Sequence, residues 1–236
     1  MKKLLTILLL MFLMILTINL KGQDMQKRYL IGPKIGVSST NLLYKDRQYD
    51  DFQFINDTIA YTNALFNIEA GLAVDYVIIP SEKYGLSIQA ALMYSHKGFW
   101  LWTESLNPPS ETITVMMHYM DIPIEFRGKC RIAKRNYLVL GLGPTFNIGI
   151  SQINKKKEYW PHGPAQSFTR TVQFGNGGEK NGLHRLDIGV NATLGIESIR
   201  GFRFDLAYYI PIRNLSIDKS KSIRFFSIAA SIGYMF

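Results

Sequence analysis

Residues 65–78, "LFNIEAGLAVDYVI", alternate between apolar and small or polar side chains along their whole length. Successive side chains of a β-strand point to opposite faces. One face of such a strand carries Phe66, Ile68, Ala70, Leu72, Val74, Tyr76 and Ile78, and the other carries Asn67, Glu69, Gly71, Ala73 and Asp75. The stretch therefore predicts a strand with one apolar face and one crowded, mostly polar face.

The same alternation recurs along the chain and predicts eight strands. Most have ten or more residues, whereas strands of globular proteins average five or six and a tilted membrane-spanning strand needs about 9–11. The predicted strands are 28–39, 65–78, 84–102, 112–127, 136–150, 183–197, 201–213 and 222–236.

The connections between these strands alternate in length. Three are short ("IPSEK", "GKCRIAKR" and "SIR"), and the others are longer on the whole, at 40–64, 103–111, 151–182 and 214–221. Outer-membrane barrels have short periplasmic turns and longer external loops. We therefore predict an all-β fold, an eight-stranded antiparallel up-and-down transmembrane β-barrel, with both termini periplasmic.

The N-terminus has the composition of an export signal. Lys2 and Lys3 precede an apolar run over residues 4–20, as in secretory signal peptides. We predict a cleaved signal over 1–22 and one barrel domain over 23–236. An uncleaved anchor is the alternative, because 17 residues reach the lower limit for a membrane helix. No later stretch contains 18 apolar residues, which excludes further helical spans.

The composition of the two strand faces indicates which one meets lipid. The apolar face is large, aromatic and continuous, while the other is rich in small residues that suit the narrow lumen of an eight-stranded barrel. The alternative is a lipocalin-like soluble barrel with a ligand cavity, but that fold would have to bury several charges or expose the aromatic face. A polar, filled lumen is the prediction.

Charges of both signs fall on the lumen face, where unpaired charges are costly. We predict a salt-bridge network among Glu69, Asp75, Asp121, Glu125, Arg127, Asp187, Glu197, Arg203, Asp205 and Arg213. A three-residue turn between the sixth and seventh strands would place Glu197 opposite Arg203 and Asp187 opposite Arg213. Such a network would plug the barrel, although a small channel with a narrow wet path stays open as an alternative.

Two other groups of residues point to the surroundings of the barrel. Trp100, Trp102, Tyr234 and Phe236 fit the aromatic belts of membrane interfaces. In the predicted loop 151–182, cations beside aromatics suggest binding of glycans, lipid phosphates or a protein; these residues are Lys155, Lys156, Lys157, Tyr159 and Trp160. The alternative for that loop is a solvated segment with an aromatic resting on the rim.

No catalytic, cofactor-binding or metal site is predicted. His96 and His118 have lipid-facing parity, and an outward histidine beside a hydroxyl could serve a lipid-modifying enzyme. Ser95, however, has the opposite parity, and no carboxylate orients either ring. The four histidines also lack the compact spacing of a metal site. Interfacial histidines at headgroup level are the favoured interpretation.

Charge and export restrict the partners. Loss of Lys2, Lys3 and Lys21 with the signal lowers the formal charge from +9 to +6. The remaining cations form no stripe with base-stacking aromatics, which argues against nucleic acid as a partner of this exported chain. Outer-membrane lipid is the expected partner. The alternating ending "SIAASIGYMF" resembles the terminal strand by which barrel-assembly machinery recognises its clients.

Three segments resemble the PorT-like outer-membrane β-barrel family of Bacteroidetes-type bacteria: "HYMDIPIEFRGK" at 118–129, "YLVLGLGPTFNIG" at 137–149 and "IRFFSIAASIGYMF" at 223–236. The resemblance implies an integral protein of the bacterial outer membrane with an eight-stranded barrel. It also implies, as an alternative function, an accessory role in protein secretion with other envelope or secretion proteins as partners. The leading prediction is a non-enzymatic barrel whose external loops bind a partner or support the envelope.

Overall fold

The computed structural model describes residues 28–46, 58–81, 83–105, 110–160, 164–172, 174, 183–217 and 221–236. The predicted signal peptide, residues 1–22, lies outside this part of the chain. Nine strands occur in the described residues: β1 (Tyr29–Asp46), β2 (Thr58–Ile79), β3 (Tyr84–Ser105), β4 (Ser110–Ala133), β5 (Asn136–Tyr159), β6 (Gln166–Val172), β7 (Leu186–Ser198), β8 (Phe202–Pro211) and β9 (Lys221–Tyr234).

All strand pairs are antiparallel, and their order closes a ring. The ring runs from β1 through β2, β3, β4, β5, β7, β8 and β9, and β9 pairs with β1 to close it. β6 lies outside the ring and pairs with β5. Closure leaves these strands without a free edge in the ring, as a membrane-spanning sheet requires. Within the described ranges, no helix has the length and apolarity needed to cross a membrane.

The ninth strand was not predicted. The sequence predicts eight strands with a loop over 151–182, whereas β5 continues to Tyr159 and then pairs with β6. This hairpin is defined here as residues 151–172. It was not predicted because "SQINKKKEY" has no apolar alternation that would indicate a strand. The predicted loop is therefore in large part a two-stranded extension of the barrel wall.

The two ends of the ring differ. At the turn end, the strands are joined by short connections such as the two residues between β4 and β5. At the loop end, β2 to β5 continue far past the membrane requirement, with 22 to 24 residues each, whereas β7, β8 and β9 have 13, 10 and 14. The wall is consequently taller on the side of β2–β6.

Burial alternates along the strands as the sequence predicts. In β8, exposed even-numbered residues alternate with odd-numbered residues that are buried, apart from the half-buried Ala207. Large apolar side chains are exposed around the ring, including Phe66 at 87% and Leu142 at 60%. A surface this apolar is stable only against lipid. The apolar face is thus the outside of the barrel.

The loop end of the interior holds an apolar cluster. Met117 and Tyr119 on β4 pack with Phe225 on β9, and Leu215 from the β8–β9 connection joins them. Phe174, from the connection that follows β6, packs against the same cluster. Leu215 and Phe174 therefore lie in the interior at the loop end of the barrel.

Candidate functional site

The predicted register between β7 and β8 is present at the turn end. Glu197 lies opposite Arg203, and Arg203 Nη2 is 2.5 Å from Glu197 Oε2. The same nitrogen is 2.8 Å from Asp75 Oδ2, across the interior on β2. Lys129 Nζ contacts both acids, at 2.9 Å from Glu197 Oε1 and 3.3 Å from Asp75 Oδ2. Two cations and two anions thus neutralise one another at this level.

A second group of charges lies beside the first. Arg127 donates to Asp205 at 2.6 Å and to Gln89 at 2.9 Å. Lys34 on β1 reaches Asp205 at 3.1 Å, and Arg127 Nε is 3.6 Å from Glu125. Arg127 is completely buried. Because the group joins β1, β3, β4 and β8, it ties opposite walls of the barrel together.

Two glycines leave the space that these side chains fill. A Cβ added at Gly195 would lie 2.2 Å from Asp205 Oδ1, and one added at Gly141 would lie 2.7 Å from Glu125 Oε2. No real side chain fits at such distances. Small residues on the lumen face therefore accommodate the long charged ones, as the narrow barrel predicted from the sequence requires.

Further toward the loop end the charges are fewer. Lys97 Nζ is 3.2 Å from Asp121, which also accepts a hydrogen bond from Ser95 at 2.6 Å. The ammonium lies 4.9 Å from the ring centroid of Tyr119 and 5.0 Å from that of Tyr209. Cation–π contacts of this kind stabilise a buried ammonium. Lys97 is thereby held between an acid and two aromatic faces.

The predicted Asp187–Arg213 pair is absent. The β7–β8 ladder ends at Pro211, and the backbone nitrogen of Arg213 donates to the oxygen of Ile188 at 3.1 Å. This irregularity shifts Arg213 out of the predicted register. Asp187 instead accepts a hydrogen bond from Asn147 at 3.1 Å. The register argument assumed a regular strand to residue 213, and the strand stops earlier.

The two remaining residues of the predicted network, Glu125 and Glu69, differ in their contacts, and one network residue was not predicted. Glu125 accepts hydrogen bonds from Asn191 at 2.5 Å and Thr193 at 2.9 Å. Glu69 is largely enclosed but forms no ion pair with a described residue. Lys129 was missed, although its odd number, two positions after Arg127, was a sufficient signal for the lumen face.

The predicted binding loop is the outer part of the hairpin 151–172. Ser151 lies opposite His118 while Gly149 lies opposite Tyr119, so Ile150 is an extra residue that forms a bulge. Beyond a bulge of one residue, the faces of a strand exchange. Odd-numbered residues of β5 therefore point outward past this position, although they point inward before it.

Strand alternation divides the three consecutive lysines between the two faces, and the bulge determines which of them point outward. Lys155, Lys157 and Tyr159 share the outward face with His118, and all three are exposed. Lys156 lies on the other face, where its ammonium is 3.0 Å from Glu158. Trp160 follows at the tip and is 45% exposed. The outward face thus presents two cations beside aromatic side chains.

Aromatic residues are present at both ends of the apolar surface. At the turn end, the ring of Tyr234 contacts those of Phe202 and Phe236, each with centroids 4.9 Å apart. Trp100 lies on the loop-end part of β3. Trp102 is on the same strand, and its side chain is outside the described residues. The positions agree with interfacial belts.

The lipid-facing histidines come together with an unpredicted tyrosine. His96 on β3 lies directly opposite His118 on β4, with ring centroids 4.6 Å apart. Tyr94 Oη is 2.7 Å from His118 Nδ1 and 3.3 Å from His96 Nε2. Ser95 is buried on the other face. Sequence parity identified the histidines, but only the strand register reveals that they are neighbours.

Closed antiparallel pairing, an apolar exterior and a polar interior define a transmembrane β-barrel protein. A family model described as "Outer membrane protein beta-barrel domain" matches residues 21–216. The chain belongs to this family and is an integral protein of the bacterial outer membrane.

Solved outer-membrane barrels resemble the chain only distantly. OprG from Pseudomonas aeruginosa is 11% identical, with 88% of this chain and 95% of that chain covered and a TM-score of 0.44. Ail, the attachment invasion locus protein of Yersinia pestis, is 16% identical, with 89% and 100% covered and a TM-score of 0.37. Neisserial surface protein A is 9% identical, with 86% and 97% covered and a TM-score of 0.37. No curated protein matches the chain.

Proposed function

We propose that this protein is a non-enzymatic, closed outer-membrane barrel that holds the hairpin 151–172 outside the cell to bind anionic groups of an envelope partner. The loop end is external in this proposal, and both chain termini are periplasmic. The observation that supports this proposal most directly is the placement of the charges. Charges inside the barrel pair with one another, whereas Lys155 and Lys157 of the hairpin face outward.

The filled interior favours an anchoring role for the barrel and argues against a conducting pore. Arg127, Arg203 and Asp75 are each at most 3% exposed, and their contacts connect opposite walls. A conducting path would require these ion pairs to separate in a medium of low dielectric constant, which is costly. In planar bilayers we expect no unitary current steps from the purified barrel, and reproducible steps would favour the channel alternative.

The outward face of the hairpin supports binding of an anion. Ser151 pairs with His118, and Lys155 lies four residues beyond Ser151 on β5. Four residues of strand extend about 13 Å. In this proposal the two lysines lie above the apolar surface, at the height of phosphate and sugar groups. Each cation near an anionic membrane surface contributes on the order of 1 kcal/mol, and Tyr159 and Trp160 add aromatic surfaces for sugars.

A matched set of variants tests this function. The purified barrel in nanodiscs is titrated with dextran sulfate as a polyanionic probe at about 0.1 M salt, where the Debye length is about 10 Å. We expect Lys155→Gln/Lys157→Gln to bind at least tenfold more weakly and Trp160→Ala to bind several-fold more weakly. Lys156→Gln is the control for the single substitutions Lys155→Gln and Lys157→Gln, because each removes one cation and Lys156 lies on the other face. Equal losses in the control would contradict a specific outward site.

The secretion-accessory function of PorT-like barrels is the second candidate. Arg131, Lys134 and Arg135 are exposed around the tight β4–β5 turn, where Arg131 Nη2 holds the oxygen of Lys134 at 2.7 Å. This rigid basic turn would face the periplasm. Co-purification of other envelope proteins, lost in Lys134→Glu/Arg135→Glu but retained in Lys155→Gln/Lys157→Gln, would favour this role over the proposed one.

A further inference from the structure

Three metal-ligand atoms converge on the outer surface of the barrel at Tyr94, His96 and His118. The β3–β4 register places the two imidazoles side by side, and Tyr94 is on the same face two residues before His96. The tyrosine oxygen is 2.7 Å from one ring nitrogen and 3.3 Å from the other. The register between the adjacent strands β3 and β4 is sufficient to bring these three side chains together.

The 3.3 Å distance matches the edge of a metal coordination shell, and the 2.7 Å distance is that of a hydrogen bond between Tyr94 and His118 that a bound metal ion would replace. Two ligands at about 2.0–2.1 Å from a Zn²⁺ ion, in tetrahedral geometry, are about 3.3 Å apart. We propose that Tyr94, His96 and His118 bind one divalent late first-row transition metal ion, such as Zn²⁺ or Cu²⁺, with water completing the shell. Imidazole nitrogen is a preferred ligand of these ions.

The tyrosine is essential to this proposal. Among the residues that the structure describes, no three histidine, cysteine, aspartate or glutamate side chains form a group that could hold a metal ion. Two imidazoles alone would leave half of a tetrahedral shell to water. The phenol oxygen supplies a third protein ligand and already lies close to a nitrogen of each ring, so metal binding requires loss of a proton and a small side-chain shift but no rearrangement of strands.

The site lies at the edge of the lipid-facing belt, where a hydrated ion can reach it. On β3, outward residues from Tyr84 to Tyr94 are apolar, and His96 is the next outward position. Ten residues of strand rise about 33 Å, which at a tilt of about 40° spans about 25 Å, the height of the apolar band of outer-membrane barrels. Trp100 lies four residues further out. The ligands are therefore at the membrane interface and not at its centre.

The proposal is tested with the full mature barrel in nanodiscs, purified without a histidine tag and stripped with chelator. Zn²⁺ titration by calorimetry and the Cu²⁺ electron paramagnetic resonance spectrum provide two readouts. We expect one ion per chain and a spectrum with two coordinated nitrogens. His96→Ala and His118→Ala should each weaken binding at least tenfold, and Tyr94→Phe should weaken it several-fold. His184→Ala, which alters a histidine elsewhere in the chain, should bind as the unaltered protein does.

Folding of every variant is checked by its heat-modifiable gel shift, with His96→Asn and His118→Asn replacing any alanine variant that fails to fold. Stoichiometric binding that survives in His96→Ala/His118→Ala would overturn the proposal, as would absence of stoichiometric binding by the unaltered barrel. Unchanged affinity in Tyr94→Phe would overturn the tyrosine as a ligand.

Discussion

Arg203 on β8 contacts Asp75 on β2, with 2.8 Å between Nη2 and Oδ2, although two strands of the ring, β9 and β1, lie between them. The contact crosses the lumen and does not follow the wall. It is possible because the ring is narrow and because Gly233 of β9, which lies directly opposite Arg203, has no side chain to fill the space between them. Cross-lumen contacts of this kind fix the barrel cross-section.

Replacement of Arg203 by Leu should strongly destabilise the barrel, because Glu197 and Asp75 would lose a buried cation. Removal of one partner of a buried ion pair costs about 3–5 kcal/mol. The measurement is the urea dependence of the heat-modifiable gel shift in detergent. Arg213→Leu is the control, since Arg213 forms no ion pair with a described residue, and a similar loss in both variants would contradict a specific role for the network.

Gly195→Val should destabilise the barrel through crowding of Asp205. Its Cβ would lie 2.2 Å from Asp205 Oδ1, and overpacking of a filled interior costs about 1–3 kcal/mol. The control is Gly128→Val, because a Cβ at Gly128 meets its nearest atom, the oxygen of Leu140, only at 4.0 Å. Urea midpoints that decrease equally would show that the effect comes from glycine replacement in strands and not from the interior.

Leu142→Arg should destabilise the protein in a bilayer, because Leu142 is 60% exposed on the apolar exterior of β5. Arginine near the midplane of a transmembrane barrel costs about 2–4 kcal/mol. Folding into liposomes of phosphatidylcholine provides the measurement. Phe168→Arg, at an exposed apolar residue of the hairpin, should have little effect. If Phe168→Arg impaired folding more than Leu142→Arg, the lipid-facing belt would lie at the level of the hairpin, which would contradict this assignment.

Phe236→Ala should reduce the amount of barrel in the outer membrane of cells while leaving refolding of the purified protein nearly unchanged. The expected cause is weaker recognition by the barrel-assembly machinery. The substitution keeps the backbone hydrogen bond from Phe236 to Ile31, at 2.9 Å, and removes only the ring beside Tyr234. Quantitative blotting of membrane fractions measures the effect, with Phe226→Ala in β9 as control. A parallel loss of refolding would indicate a structural role instead.

Alternation of side chains was enough to predict an all-β antiparallel outer-membrane barrel and most of the residues on its lumen face. It placed Asp75, Arg127 and Asp205 inside the barrel because odd positions on regular strands share a face. It also paired Glu197 with Arg203, since a short turn fixes the register near itself. The Asp187–Arg213 pairing was wrong because registry is lost where β8 becomes irregular.

Other features could not be read from one-dimensional alternation. The contact between Arg203 and Asp75 depends on the diameter of the closed ring, and the approach of His96 to His118 depends on the register between β3 and β4. The inward position of Phe174 depends on how a long connection folds, for which the sequence carries no periodic signal. Hairpin residues after Ile150 were predicted as a loop because their pattern is polar on both faces.

The single extra residue at Ile150 has an evolutionary consequence. Because of this residue, odd-numbered side chains of β5 point inward in the part of the strand inside the membrane and outward in the part beyond it. A one-residue insertion or deletion at this point would turn the hairpin inside out, exchanging Lys155 and Lys157 for Lys156 and Glu158 on the outer surface, while leaving the barrel below it intact. The surface offered to the environment can therefore change from two cations to a cation and an anion in one mutational step without cost to the transmembrane fold.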